Sequence, residues 1–315
     1  MLGALGYVGY TREATDGELA APTIFMPVDS FDFGDTNDFI IPDEIRNSPD
    51  PTVALPAPFA VSGSTGGNAY PVGLVQLLRA VSRGDVVTTA NTGGGTRHVI
   101  TPGRSRQDTF SFEGNADDIL VRRYGGVRIN SLELHAAFGE IVTASWGLEG
   151  INRMIVADPV AAEDIVYPDV DPFHFDGVSI TVEGAEEPDV KDFTFGINNN
   201  GDRIGTLRKT RNWRRFTLGK REVSLAMTLD FTSDAEYQRF FDEDYFDVGI
   251  NLAGPVLAGT ERHSLDIAVP KVKWNRVGLP INAGDFLEQS VEATILRPAG
   301  GSIYTMTLVT TDTTA

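Results

Sequence analysis

The chain has no cysteine in its 315 residues, which excludes disulfides, thiolate metal sites and cysteine nucleophiles. Lysine is nearly as scarce: Lys191, Lys209, Lys220, Lys271 and Lys273 are all there are. No apolar run approaches the roughly 20 residues needed to span a bilayer. The opening "MLGALGYVGYTREATDGE" lacks a basic n-region and does not read as a signal peptide. Enzyme motifs are missing too. There is no G-x-S-x-G, and the glycine run "TGGGT" (92–96) has no helix behind it to complete a phosphate cradle. His98, His135 and His263 lie in strand-like surroundings without a nucleophile motif. Asp169, Asp171, His174 and Asp176 match no calcium-loop template, so a solvated linker is the plainer account.

What is abundant is acid and strand. Net charge is −18, from 44 acidic and 26 basic residues, a balance that repels nucleic acid unless a basic patch overrides it. An acid-rich, lysine-poor surface also suits a high-salt cytoplasm. Hydrophobic residues make up 41%, enough for a packed core.

Period-2 alternation dominates. "VRINSLELHA" (127–136) changes phase between Ile129 and Leu132, which predicts a bulge. After the turn "AFGE", residues 141–150 put Val142, Ala144, Trp146 and Leu148 on one face. "REVSLAMTLDF" (221–231) alternates as cleanly, and 285–296 with 302–311 reads as a closing hairpin around "RPAGG". Two stretches have helical spacing. Residues 70–84 end at Gly84, and 232–245 open with Ser233 and Glu236 in capping-box spacing.

These elements recur in order. "SFDFG" (30–34) and "DFTFG" (192–196) stand 162 positions apart (196 − 34) and place each phenylalanine pair on a core face. Further matches are Leu74 with Phe240, Pro102 with Pro270, and Trp146 with Thr307. A shared order of five elements points to a tandem duplication. The expected fold is mainly β: two tandem antiparallel β-sandwich or barrel domains, each with one flanking α-helix. The divisions are an N-terminal segment 1–20, domains 21–156 and 178–315, and a linker 157–177.

One charge feature breaks the acidic background. "RIGTLRKTRNWRRFTLGKR" (203–221) holds eight basic and no acidic residues. Its counterpart after the first phenylalanine pair, 34–58, carries Asp35, Asp38, Asp43, Glu44 and Asp50 against one arginine. Three accounts of the basic segment stand: a nucleic-acid grip, an ordinary solvated loop, or contact between chains. The acidity of the rest favours contact, through Arg203, Arg208, Lys209, Arg211, Trp213, Arg214 and Arg215 against Asp35, Asp38, Asp43 and Glu44.

The second half, "DFTFGINNN…RRFTLGKREVSLAMTLDFTSDAEYQRFF" and "LDIAVPKVKWNRVGLPINAGDFLEQSVEATIL", resembles the major tail tube protein of long-tailed (siphovirus-like) viruses of bacteria and archaea. In the first half "RHVITPG…DTFSFEG…RRYGGVRINSLELHAAFGEIVTASWGLEG" is similar to the same family, so the resemblance covers about residues 20–312. It implies a structural virion protein without a cofactor, not an enzyme. It is assembled in the host cytoplasm into stacked rings around a channel that conducts the genome. Implied partners are further copies of itself, tail terminator, baseplate or tip and tape-measure proteins, and viral DNA passing without specific binding; no membrane is involved. With two tube domains per chain, three chains complete a pseudo-sixfold ring; the alternative is six chains with one half decorating the outside. Channel-lining candidates, by polar alternation, are Glu133, Thr143, Ser145, Glu149, Glu222, Ser224, Thr228, Asp230, Glu292 and Thr294. A receptor- or glycan-binding β-sandwich module of a virion is the second reading, and a β-sandwich hydrolase the third.

Overall fold

The computed structural model describes residues 6–45, 47, 50–104, 107–117, 119–157, 159–207, 209–281 and 286–314. In chain order the first strands are β1 (Tyr7–Arg12), β2 (Ile24–Phe25), β3 (Ser30–Ile40) and β4 (Leu55–Asn68). Helix α1 (Val75–Ser82) and the hairpin β5 (Asp85–Ala90) and β6 (Thr96–Thr101) follow. Next come β7 (Phe110–Ala116), β8 (Leu120–Ala137), β9 (Thr143–Gly150) and β10 (Asn152–Val156). The later strands are β11 (Val178–Val182), β12 (Ala185–Glu186), β13 (Val190–Asn198), β14 (Asp202–Ile204), β15 (Arg215–Thr217) and β16 (Glu222–Asp230). Helix α2 (Ala235–Asp242) precedes β17 (Phe246–Ala258), β18 (Glu261–Gly278), β19 (Glu288–Ile295) and β20 (Thr305–Thr310).

Two very long strands organise everything else. β8 and β18 each serve two sheets, bending where one residue is extra: Asn130 in β8 and Asn275 in β18. Such a bulge sharpens the local twist and lets one strand leave one layer for another. The amino-terminal half of β8 pairs with β7 and β10, and its carboxyl-terminal half with β9 and β13. The same division holds in β18, whose first part pairs with β17 and β20 and whose last part pairs with β19.

Strand pairings before the linker recur after it. β1–β2, β1–β7, β3–β4 and β4–β9 have counterparts in β11–β12, β11–β17, β13–β16 and β16–β19. Gly63 faces Phe33 as Leu225 faces Phe195, a spacing of 162 (225 − 63). Trp146 faces Leu132 as Val291 faces Val277, a spacing of 145 (291 − 146). Each helix packs on its long strand, α1 on β8 and α2 on β18, and each stops at a left-handed non-glycine residue, Arg83 and Glu243, spaced by 160 (243 − 83).

The two halves are nevertheless not separate sandwiches, and among the described residues no sheet closes into a barrel. β13 pairs along β8, from Asp192 opposite Ala137 to Asn198 opposite Ser131. A continuous eight-strand sheet results, in the order β3-β4-β9-β8-β13-β16-β19-β18. In the second layer the β5–β6 hairpin reaches across and pairs with β20. One apolar cluster runs through both halves, from Phe33, Trp146 and α1 to Phe195, Leu225 and Trp274.

Three local expectations are corrected. Residues 285–296 and 302–311 form strands but not a hairpin: β19 pairs with β16 and β18, while β20 crosses to the other layer between β18 and β6. Trp146 therefore corresponds to Val291 rather than Thr307. The capping box of α2 does not form, because Glu236 turns inward and accepts the Trp274 indole N–H at 2.6 Å. Gly84 does follow the end of α1, next to the left-handed Arg83, and its place is set by the Thr101 carbonyl, which a Cβ would meet at 2.1 Å. The linker is also more than solvated chain, since Phe173 is fully buried and its backbone bonds to Ala69 and Val142.

The alternation in β9 gives a paired test. Trp146→Ala empties a fully packed site and is expected to cost about 3–5 kcal/mol. Ser145→Ala, on the opposite, solvated face, is expected to stay within about 0.5 kcal/mol of wild type. Denaturant-unfolding midpoints of the two variants measure the difference.

Candidate functional site

Paired residues on neighbouring strands share a face, so the register decides which side chains lie together. Every channel-lining candidate falls on one face of the eight-strand sheet. One row runs Ser145, Glu133, Gly196, Ser224, Thr294 across β9, β8, β13, β16 and β19. The next runs Thr143, His135, Thr194, Ala226, Glu292, with His135 Nδ1 and Thr194 Oγ1 3.1 Å apart. Thr228 and Asp230 continue the face along β16, while Glu222 and Glu149 lie toward the other rim. Glycine, serine and threonine fill the middle, so little projects from it. The centre forms an open concavity of about 920 Å³ lined in part by Ser64, Glu133, Ser145, Gly196, Ser224 and Thr294.

Half of those ten residues are carboxylates. Glu292 meets Arg276 at 3.0 Å, and Asp230 lies 3.5 Å from Lys191, which also binds Glu288 at 2.8 Å. Glu133 and Glu222 are exposed and form no ion pair among the described residues. Glu149 is half-buried at the rim. Burial pushes its carboxyl above the usual range, and the Arg203 guanidinium pulls it back.

The basic segment is not one long irregular loop. β14 and β15 make a short two-strand ribbon, with Arg203 opposite Phe216. The ribbon folds back onto the β3–β4 hairpin of the same chain. Arg203 binds Glu149 and the Val61 carbonyl, and Arg211 binds Asn37 and donates to the Ala57 carbonyl at 2.8 Å. The Phe59 N–H donates to the Arg211 carbonyl at 3.0 Å, and Trp213 is half-buried. These contacts occupy Arg203 and Arg211 within the chain. Lys209, Arg214 and Arg215 remain exposed, without an ion pair among the described residues, and Arg208 lies outside those residues.

Its acidic counterpart is mostly strand. Asp35 and Asp38 belong to β3, where Asp35 pairs with Arg153 of β10; Asp43 and Glu44 follow in the exposed connection to β4. Phe39, Ile40, Ile41 and Ile45 are exposed beside them. Sequence reasoning counted the charges here and passed over this apolar strip, although four large hydrophobes in a stretch of acid were visible. Among the described residues, no hydrogen bond or ion pair joins Asp38 or Asp43 to the basic segment. No group of three or more metal-ligating side chains occurs among the described residues.

Arg203 ties the ribbon to Glu149 at the sheet rim. Arg203→Leu is expected to lower unfolding stability by about 2 kcal/mol, the scale of a lost charge-assisted hydrogen bond. It is also expected to move the Glu149 carboxyl still higher, readable as a carbon-13 carboxyl titration.

No described helix is long and apolar enough to cross a membrane. No curated protein matches the chain. The chain does match the family described as phage tail tube protein, over residues 3–294, and that span takes in both long strands, both helices and nearly all of the polar-faced sheet. This chain belongs to the phage tail tube protein family, and its role is that of a structural virion component rather than an enzyme.

Proposed function

We propose that the chain polymerises into stacked rings, three chains to a ring, whose bore is lined by the polar face of the eight-strand sheet and conducts the genome. The observation that carries this reading is the recurrence of strand pairing before and after the linker. It supports a tandem duplication in which each chain supplies two tube domains, broadly 21–156 and 178–315, fused edge to edge. Three such chains then present six pseudo-equivalent four-strand half-sheets around one axis.

The polar face suits a conduit. DNA binds non-specific protein surfaces largely through phosphate contacts to lysine and arginine. Here the small residues Ser145, Gly196, Ser224 and Thr294 give the face little relief. Against the cations Lys220, Arg221 and Arg297 at the edge of the same concavity, the carboxylates Glu133 and Glu222, unpaired among the described residues, repel phosphates. Their repulsion is felt over about 8 Å at physiological salt, so DNA is held off the wall without being bound. The tail terminator, baseplate or tip and tape-measure proteins are the expected partners at the ends and inside of the tube. Assembly takes place in the host cytoplasm.

Exposed Arg214 and Arg215 sit on the ribbon that packs against the β3–β4 hairpin at the sheet rim, where a neighbouring ring stacks. In a chain of net charge −18 these cations meet acidic surface almost anywhere on a neighbouring copy. Arg214→Glu with Arg215→Glu is expected to abolish long tubes in negative-stain images while leaving the circular dichroism of the folded chain unchanged. Normal tubes from that variant contradict the stacking role. For the lining, Glu133→Lys with Glu292→Lys is expected to make assembled tubes retain DNA in a salt-dependent manner. Wild-type tubes are expected to release it at physiological salt.

A further inference from the structure

Inside the chain, the β8–β13 junction is completed by one asparagine. The Asn199 N–H donates to the carbonyl of the bulge residue Asn130 at 2.8 Å. Its side-chain Nδ2 donates to the Val81 carbonyl in the last turn of α1 at 2.9 Å, and Asn199 is wholly buried. Beneath this cap Leu77 and Val81 of α1 are 0% exposed.

Every part of that junction has a counterpart at the two ends of the sheet, exposed rather than buried, although the Asn37 Oδ1 already accepts from Arg211. Asn37 corresponds to Asn199 at the spacing of β3 and β13, and is exposed. Asn275 is the bulge of β18 and is exposed where Asn130 is half-covered. Tyr237 and Phe241, the counterparts of Leu77 and Val81 on α2, are 47% and 73% exposed. Among the described residues, β3 pairs only with β4, and β18 beyond Val272 pairs only with β19, so both outer edges are open. An open strand edge beside exposed apolar residues is a template for another strand.

We propose that copies of this chain join head to tail by a second version of the β8–β13 junction. The outer edge of β18 pairs antiparallel with β3 of the next copy, Thr36 opposite Arg276 and Gly34 opposite Gly278, and Asn37 of that copy caps the last turn of α2. The register is the internal one carried over, since Asn198 faces Ser131 and Gly196 faces Glu133. The next copy's Phe39 and Ile40 then lie beside Tyr237 and Phe241.

Two details could have blocked the pairing and do not. Pro280 has no N–H, but its counterpart is His135, and Phe138 donating to the Lys191 carbonyl shows that even-numbered residues of this part of β8 face β13. Pro280 therefore turns its missing donor away from the incoming strand. The Phe33 carbonyl already accepts the Tyr124 hydroxyl at 3.0 Å, yet a carbonyl has a second lone pair for a strand N–H.

This inference rests on the tube reading and is separable from it. The chain has no cysteine, so introduced pairs report without background. Thr36 and Arg276 would form a non-hydrogen-bonded pair, where Cα atoms lie about 4.5 Å apart, within disulfide reach. Thr36→Cys with Arg276→Cys is expected to give an intermolecular disulfide ladder on oxidation after assembly. Asn198→Cys with Ser131→Cys is expected to close within one chain, which verifies the oxidation. Asp32→Cys with Arg276→Cys, four residues out of register, is expected not to link. Tubes that form without the Thr36–Arg276 link, or that link through Asp32 instead, overturn the junction and leave the tube reading standing. A wild-type chain that makes no tubes while the Thr36–Arg276 pair links soluble oligomers overturns the tube reading alone. A persistent monomer without the link overturns both.

Discussion

The antiparallel pairing of β8 with β13 is the constraint on which the rest of the molecule depends. Without it there are two small sheets with exposed edges; with it there is one eight-strand surface, apolar beneath and polar above. Because side chains alternate strictly along a strand, a one-residue slip at this seam would turn the Phe193 and Phe195 face outward and the Ser224 and Glu292 face inward. The seam is held against that slip from both sides. Phe195 and Leu134 lie buried under it, and Asn199 ties the end of β13 to the β8 bulge and to α1.

Bulges make the two-layer design feasible. A straight strand of 18 residues cannot serve two sheets that face one another, but one extra residue at Asn130 and at Asn275 turns each long strand from one layer into the next. Insertions then distinguish the halves. The first half gains the β5–β6 hairpin, which braces β20, and the second gains the β14–β15 ribbon, which braces the β3–β4 hairpin. Each half thus supports the other, and the seam is not a flexible hinge between two independent bodies.

Much of this was legible in the residues, and the exceptions have physical reasons. The phase change at Ile129 announced the bulge, because alternation cannot shift unless a residue is added. Both helices showed their stripes. The channel-lining candidates came from alternation alone, and pairing places them on one face. Partners were another matter. β19 and β20 alternate equally well, and nothing in a period of two says which neighbour a strand will choose, so the sequence reads as a hairpin that the packing does not form. The Arg203–Glu149 contact joins residues 54 positions apart, and Glu236 left its capping role for an indole on β18. Such long-range choices are settled by packing, which local sequence does not record.

The proposed subunit number depends on whether both halves build the ring. If one chain carries two fused tube domains, a ring needs three chains; if only one half builds the ring, it needs six. Mass per axial repeat of purified tubes, measured by scanning transmission electron microscopy, separates the two most directly. The account requires three 34.1 kDa chains per ring. Six chains per ring would contradict it.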